Sequence, residues 1–537
     1  MKTFIFILFL ALSAVIAFSL ENDTDKEIMA REITGTIDVQ QNTISNIDFM
    51  TKSNGVLFND KNGRGATYWP RNSNNQYIFG GGIWFGAKKE YYDVTNTYCL
   101  VSYNPNSGKS WMTPGRIEDG DDIDIDGVKK YRVYFSTDMN QDGTPKDTEY
   151  GPNWPIWQTY APEFRNIGSY VYEEEKRNST VYPMGPDFIS GEDIFCTYKD
   201  TDIYAYEAPE THLINKGYPL RTQWEQTIYT WQYGDAKDIM IIYYKVINMS
   251  QDTLFHCYLG PVVDFDIGDM QNSSSGAIND RCTYYFPDES MNMGVAWTNT
   301  DQGEAGKNFG YMGISLLSSP VTDHDLYIKN GMPDCKQDHS GLYTFQILSV
   351  IQDVNEDISR YNTLSSGVHK GDNGPGDYRA ILSTYPFHMR PGDTASCVYM
   401  IAFAAPDNGG EASGRWDDMD DLINKINFGK ELFCNNVVTK IHDSKSSANT
   451  SLNIYPNPAK DHLIIEYSSE DHSQALIEIY DIKGQRMNSY NNIPNAIVND
   501  SYRLNLKDFD GNELSPGVYY CILKLGTSFK TQKFIVH

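Results

Sequence analysis

The chain is short of several features that would have assigned it a class at once. Beyond residue 17 no run approaches the roughly 18 uninterrupted apolar residues of a membrane helix, so no transmembrane segment is expected. Basic residues are outnumbered, with 44 Lys and Arg against 71 Asp and Glu, a net charge of -27 over 537 residues. That balance excludes nucleic acid and an anionic lipid surface as partners and suits divalent cations. The eight cysteines, at 99, 196, 257, 282, 335, 397, 434 and 521, contain no C-x-x-C pair, which rules out zinc ribbons and thioredoxin-like redox sites. Cys257 and Cys397 alternate with apolar neighbours as buried strand thiols do, a reading preferred to a disulfide framework. Neither a G-x-S-x-G nucleophile elbow nor H-E-x-x-H occurs. Gly108-Lys109-Ser110 ends like a phosphate loop, but Tyr103 stands where its first glycine belongs. His324, Cys335 and His339 fit no zinc spacing. No contiguous stretch names a reaction.

Helical periodicity is scarce too, whereas 38 Tyr, 9 Trp and abundant Thr and Val favour pleated, half-buried surfaces. The fold class expected is mainly β: a large β-sandwich-type body with one C-terminal packing helix, then a small immunoglobulin-like sandwich. Lys2, an apolar run from Phe4 to Ile16 and small residues at Ala14 and Ala17 read as a signal peptide over residues 1–17. The body spans 18–434, with a candidate sub-boundary in the Pro- and Trp-rich stretch at 151–162. Turn signals punctuate its first part at 62–65, at the three glycines 80–82, at 104–108 and at Asp126-Gly127, a hairpin signal. From Thr222, QWEQTIYTWQY, IMIIYYKVI and TLFHCYLGPVV are joined by two short polar turns, which predicts three consecutively paired antiparallel strands. Further strands are expected near 309–318, 341–351, 378–385 and in ASCVYMIAFA. Met419, Leu422, Ile423 and Ile426 form the stripe of the one predicted helix, with Asp417, Asp418, Asp420 and Asp421 at its positive end. Residues 435–450 lose periodicity and read as a linker.

The tail, 451–537, is electrostatically a different object, with 10 acidic and 8 basic side chains. Strands are expected at 452–455, 462–467, 475–480, 485–490, 502–506, 518–525 and 529–536, seven in all, as in a small immunoglobulin-like sandwich. Tyr502, Leu504 and Leu506 share one face and Arg503 and Asn505 the other.

Its spaced elements are the YPNPA turn at 455–459, IYDIKG at 479–484, PGVYY at 516–520 and KFIV at 533–536. In that order they resemble the C-terminal sorting domain of type IX (Por) secretion cargo in Bacteroidota. The resemblance assigns a sorting signal to Tyr455, Pro456, Asn457, Pro458, Gly484, Gly517, Tyr519, Lys533 and Phe534. It implies Sec export, recognition by the outer-membrane translocon and its processing machinery, and tail removal with release or attachment to a surface glycolipid. Stretches at 75–89, 243–269 and 376–394 resemble uncharacterised secreted proteins that carry this tail, which adds a β-rich expectation and no activity.

Three acidic groups are candidate cation sites. Asp138, Asn140, Asp142 and Glu149, with Gly143, satisfy the spacing of a calcium loop, although the strand-like and Pro-rich flanks are not those of an EF-hand. Asp264, Asp266 and Asp269 are the second group, and Asp264 and Asp266 share one side of an extended segment, where they can hold a cation or form an acid/base pair. Asp122, Asp124 and Asp126 alternate with Ile and read as a solvated strand face. Trp69, Trp84, Trp154 and Trp157 offer stacking faces for a glycan ligand, or cross-strand packing instead. Two readings of the body follow: a non-catalytic structural, adhesive or binding module with calcium-stabilised loops, or a hydrolase of polysaccharide or peptide whose residues meet only in three dimensions. The missing hydrolase signatures favour the first.

Overall fold

The computed structural model describes residues 37–117, 131–138, 146, 190–207, 216–269, 278–298, 308–331, 333, 341–350, 354–434, 451–468, 475–481, 486–493, 501–508, 511–525 and 528–537. The expected signal peptide, linker, Asp126-Gly127 hairpin and sub-boundary lie outside them.

Side-chain parity in two strands sets the architecture of the body. In Ile239–Asn248, Met240, Ile242, Tyr244 and Val246 enter one core, while Ile239, Ile241 and Tyr243 enter another. Thr394–Ala404 repeats the pattern, with Cys397, Tyr399, Ile401 and Phe403 on the first side and Val398, Met400, Ala402 and Ala404 on the second. Strands apolar on both faces must lie between two layers. These two pair antiparallel at the centre of a nine-stranded sheet. Its order is Asp280–Tyr284, Met293–Thr298, Tyr311–Ser318, Thr394–Ala404, Ile239–Asn248, Thr222–Thr230, Glu192–Lys199 and Thr113–Pro114, with Tyr134–Phe135 also on Glu192–Lys199.

One face packs on a six-stranded sheet of Thr344–Ser349, Tyr378–Ser383, Leu254–Phe265, Gly80–Tyr91 and Val94–Val101, with Phe387–Met389 also on Leu254–Phe265. Phe85 of that sheet meets Trp224 of the other edge-on, ring centroids 5.7 Å apart. The opposite face is closed by the helix Asp420–Leu432, whose Leu422 and Ile426 are fully buried there as the stripe predicts. Its first backbone N–H groups at Asp420 and Asp421 donate to the Asp407 carboxylate, a cap supplied from a distant loop. Lys425 is buried and held at 3.1 Å by both Asp238 and Asp421. The body is thus built on two large packed antiparallel sheets with a helix behind the larger one, and three small sheets of two or three strands besides.

Three expectations need correction. The strand Leu254–Phe265 does not pair with Ile239–Asn248 but crosses to the second sheet, between Gly80–Tyr91 and Tyr378–Ser383. The connection is a corner: Asn248 Nδ2 donates to the carbonyls of Asp252 (2.9 Å) and Met389 (3.2 Å). The glycines 80–82 are not a turn but open the long strand Gly80–Tyr91. A second helix, Asp357–Leu364, is present on the outer side of the six-stranded sheet, eight residues too polar to register as periodic. Of the cysteines, 99, 196, 257, 282, 397 and 521 are buried free thiols, as preferred, while Cys434 is disulfide-bonded.

The tail forms seven strands at the expected places. Ser451–Tyr455, His462–Ser468 and Ser501–Asn505 make one sheet; Arg486–Ile493, Ala475–Asp481, Gly517–Leu525 and Ser528–Val536 make the other. Leu504 and Leu506 point into their shared core and Arg503 and Asn505 to solvent.

The second helix depends on a bare backbone. A Cβ on Gly260 would lie 2.2 Å from Leu364 Cδ2 and 3.0 Å from the Leu382 carbonyl oxygen. Gly260→Ala is therefore expected to cost about 1–3 kcal/mol by overpacking, read as a lowered urea midpoint with the slope unchanged. An unaltered midpoint would show that the helix packs elsewhere.

Candidate functional site

Asp264 is the one acid of Leu254–Phe265, where its register neighbours are Gly80 on one side and Arg379 on the other. It is 1% exposed. The Arg379 Nε lies 3.1 Å from its Oδ1, and Tyr103 Oη donates to its Oδ2 at 2.7 Å. Arg379 also donates through Nη1 to Asp377 Oδ1 at 2.7 Å. Gly80 is what admits Tyr103, since a Cβ there would stand 2.3 Å from the tyrosine hydroxyl. The glycine run is thus part of the site.

Asp264, Asp266 and Asp377 each offer a carboxylate oxygen, all within 4.8 Å of one another. Three acids share one arginine. Burial is the largest cause pushing the Asp264 carboxyl up, to about 8; Arg379 and the Tyr103 hydrogen bond oppose it, and Asp266 and Asp377 add to it. Asp266 is pushed up to about 6 by burial and by Asp377, against the pull of Arg379. Its backbone N–H donates to the Tyr77 carbonyl at 3.2 Å, which fixes where the side chain leaves the chain.

Of the predicted acids, Asp264 and Asp266 come together and Asp269 does not join them. It is buried in the two-residue strand Gly268–Asp269, opposite Asn75. Asp377, Arg379 and Tyr103 were not anticipated. The Asp-Tyr-Arg alternation at 377–379 places its two charged residues on one side of a strand, but nothing local says that side meets Asp264. In the calcium-loop candidate, Asp138 ends the turn Ser136–Asp138 and its carbonyl accepts from the Lys146 N–H at 2.8 Å. Asn140, Asp142 and Glu149 lie outside the described residues, as do Asp122, Asp124, Asp126, Trp154 and Trp157. Trp69 and Trp84 are buried, donating to Asp238 Oδ1 (2.7 Å) and the Tyr103 carbonyl (2.9 Å), so neither presents a face to a glycan.

The residues assigned to the sorting signal, far apart in sequence, converge on one edge of the tail. Asn457 Oδ1 accepts from the Ile535 N–H (2.9 Å) and its Nδ2 donates to the Lys533 carbonyl (3.3 Å). The Ala459 N–H donates to the Ile535 carbonyl and the His537 N–H to the Ala459 carbonyl, at 2.6 and 3.0 Å. The YPNPA turn therefore completes the outer edge of the terminal strand, while Phe534 stacks on Tyr519 within the core, ring centroids 5.7 Å apart. Tyr455 and Ile535 remain 39% exposed. Gly517 opens the neighbouring strand, and Gly484 is outside the described residues.

The large acidic β body is followed by a small sandwich of two sheets with a core of its own. Residues 453–537 match the family described as a secretion system C-terminal sorting domain. The protein is a type IX secretion cargo, exported to the cell surface or beyond, with that secretion machinery as its partner. Among the described residues no helix is long and apolar enough to cross a membrane. Comparison with curated proteins yields no match. Among solved structures, a polysaccharide lyase aligns with 94% of the chain at 9% identity and a TM-score of 0.24, the alignment covering 46% of the lyase. A putative aldose 1-epimerase from Escherichia coli K12 aligns with 69% of the chain and 99% of itself at 7% identity and a TM-score of 0.27. Dimeric latent PorU from Porphyromonas gingivalis covers 93% of the chain and 34% of itself at 10% identity and a TM-score of 0.15. The chain spans about half the length of the lyase. Likeness at this level carries no inference about activity.

Two measurements follow from these geometries. The folded pKa of Asp264, about 8, exceeds the unfolded value of about 4, so the native state holds a proton that the unfolded chain has lost. Its contribution to stability is complete below about pH 4 and is lost as pH rises toward 8. Asp264→Asn should flatten that decline in a series of urea melts, and an unchanged slope would contradict the assignment. In the tail, a reporter fused ahead of residue 451 should fail to reach the cell exterior when Lys533–His537 is deleted, because the Asn457 turn and Tyr519 lose their partners. Undiminished export would count against the clasped edge as the exported signal.

Proposed function

We propose that the body is a non-catalytic structural or binding module of the cell exterior, and that Asp264, Asp266 and Asp377 hold a calcium ion within it. The observation that carries this reading is the meeting of three carboxylate oxygens within 4.8 Å at a place where one arginine is the neighbouring cation. The donor set is all oxygen, as calcium requires. With all three acids ionised, the group and Arg379 sum to a net charge of −2, and a divalent cation would balance it. Binding would favour the ionised acids, drawing the Asp264 and Asp266 pKa values down.

The hydrolase alternative has one observation in its favour, two neighbouring carboxyls with separated pKa values, the pattern of an acid/base pair. Asp264 is almost wholly buried and engaged by Tyr103 and Arg379, an environment in which it touches protein rather than substrate. The cation reading is preferred on that ground. Removal of the tail, with release of the body or its attachment to a surface glycolipid, completes the proposal, on the sequence resemblance. A glycan ligand would need aromatic faces other than Trp69 and Trp84.

Calcium at about 0.1–1 mM, the range of extracellular sites, should raise the melting temperature, and more at pH 8 than at pH 5, since protons must leave for the ion to bind. Asp377→Asn should abolish most of the rise and Asp142→Ala should not. A rise that survives Asp377→Asn but vanishes in Asp142→Ala would move the site to the 138–149 loop.

A further inference from the structure

The four-stranded sheet of the tail has two faces, and only one belongs to the core of the sandwich. Ile477 and Ile479 point inward, as do Tyr519, Cys521 and Leu523. By strand alternation Glu478, Tyr480, Tyr520 and Ile522 face outward. They should be wet. Instead Glu478 is 3% exposed, Tyr480 8% and Ile522 5%, and Tyr480 Oη donates to Glu478 Oε2 at 3.1 Å.

Among the described residues, the body meets this face through the loop that joins Thr222–Thr230 to Ile239–Asn248. Gln232 Nε2 donates to Tyr520 Oη at 3.0 Å, and the rings of Tyr233 and Tyr520 lie 5.9 Å apart at an interplanar angle of 30°. Tyr520 sits directly opposite Tyr480 in the sheet register, next to the buried pair Glu478 and Ile522, so the contact adjoins the covered residues. One strand away Lys533, the register partner of Tyr520, stays exposed, as do Tyr455, Asn457 and Ile535.

We infer that the outer face of the Ala475–Asp481 and Gly517–Leu525 strands is a docking surface for the body's 231–238 loop. The sorting domain then rides in a fixed orientation with its clasped edge exposed beside the contact, and its removal uncovers Gln232 and Tyr233. This inference does not depend on the calcium reading, and a failure of either leaves the other standing. The partner is the chain's own body, and the recognition chemistry is one amide-to-phenol hydrogen bond beside a ring contact in a mostly desolvated patch.

The test is hydrogen–deuterium exchange with mass readout on the full chain, comparing wild type with Tyr520→Asp and Gln232→Ala. Exchange in 231–238 should accelerate roughly tenfold in both variants, the scale set by losing one hydrogen bond and its packing. Protection of His462–Ser468 should be unchanged, showing that the sandwich is still folded, and Tyr520→Phe, which keeps the ring, should give a smaller increase. Wild-type exchange in 231–238 in both variants overturns the docking surface.

Discussion

Two strands that are apolar on both sides constrain everything else in the body. Ile239–Asn248 and Thr394–Ala404 cannot lie at a surface, so one side must receive a second sheet and the other a helix. The need for a second sheet explains why the chain turns a corner at Asn248 rather than continuing the meander. Leu254–Phe265 is sent across the core, and at its far end Asp264 is carried to the register of Gly80 and Arg379. The acid cluster is therefore a product of the layering. Its three carboxylates are supplied by the end of one strand and the start of another, and they are pressed together because the strands pair.

The same logic separates the tail from the body. Its core is closed by its own two sheets, and its last strand is finished by a turn from its beginning. A module whose first and last segments clasp each other does not rely on the rest of the chain for its fold. That self-sufficiency suits a module recognised as a folded unit, and the Tyr520 contact adds an orientation to it.

Much of this was legible in the sequence, for reasons that can be named. The seven tail strands were readable because each is short and alternating and most are bounded by Gly or Pro, and the helix stripe Met419–Ile426 because four apolar residues keep one period. The partner choice of Leu254–Phe265 was not readable, since its turn chemistry resembles that of the preceding hairpin and only the demand for a second layer diverts it. The glycines 80–82 carried the turn signal that glycine runs usually carry, and the real task of Gly80 and Gly82, making room for Tyr103, appears only when their neighbouring strand is brought in. Asp264 and Asp266 were found by their spacing. Asp377 and Arg379 could not be, because register across two strands more than a hundred residues apart leaves no local trace. Asp269 followed the sequence pattern and was drawn away by pairing with Asn75.

The central claim about the body is that Asp264, Asp266 and Asp377 form one cation site. Anomalous diffraction from crystals grown with a lanthanide in place of calcium addresses it directly. The account predicts a peak within coordination distance of all three carboxylates. Peaks confined to surface acids, with Arg379 still joining Asp264 to Asp377, would contradict it.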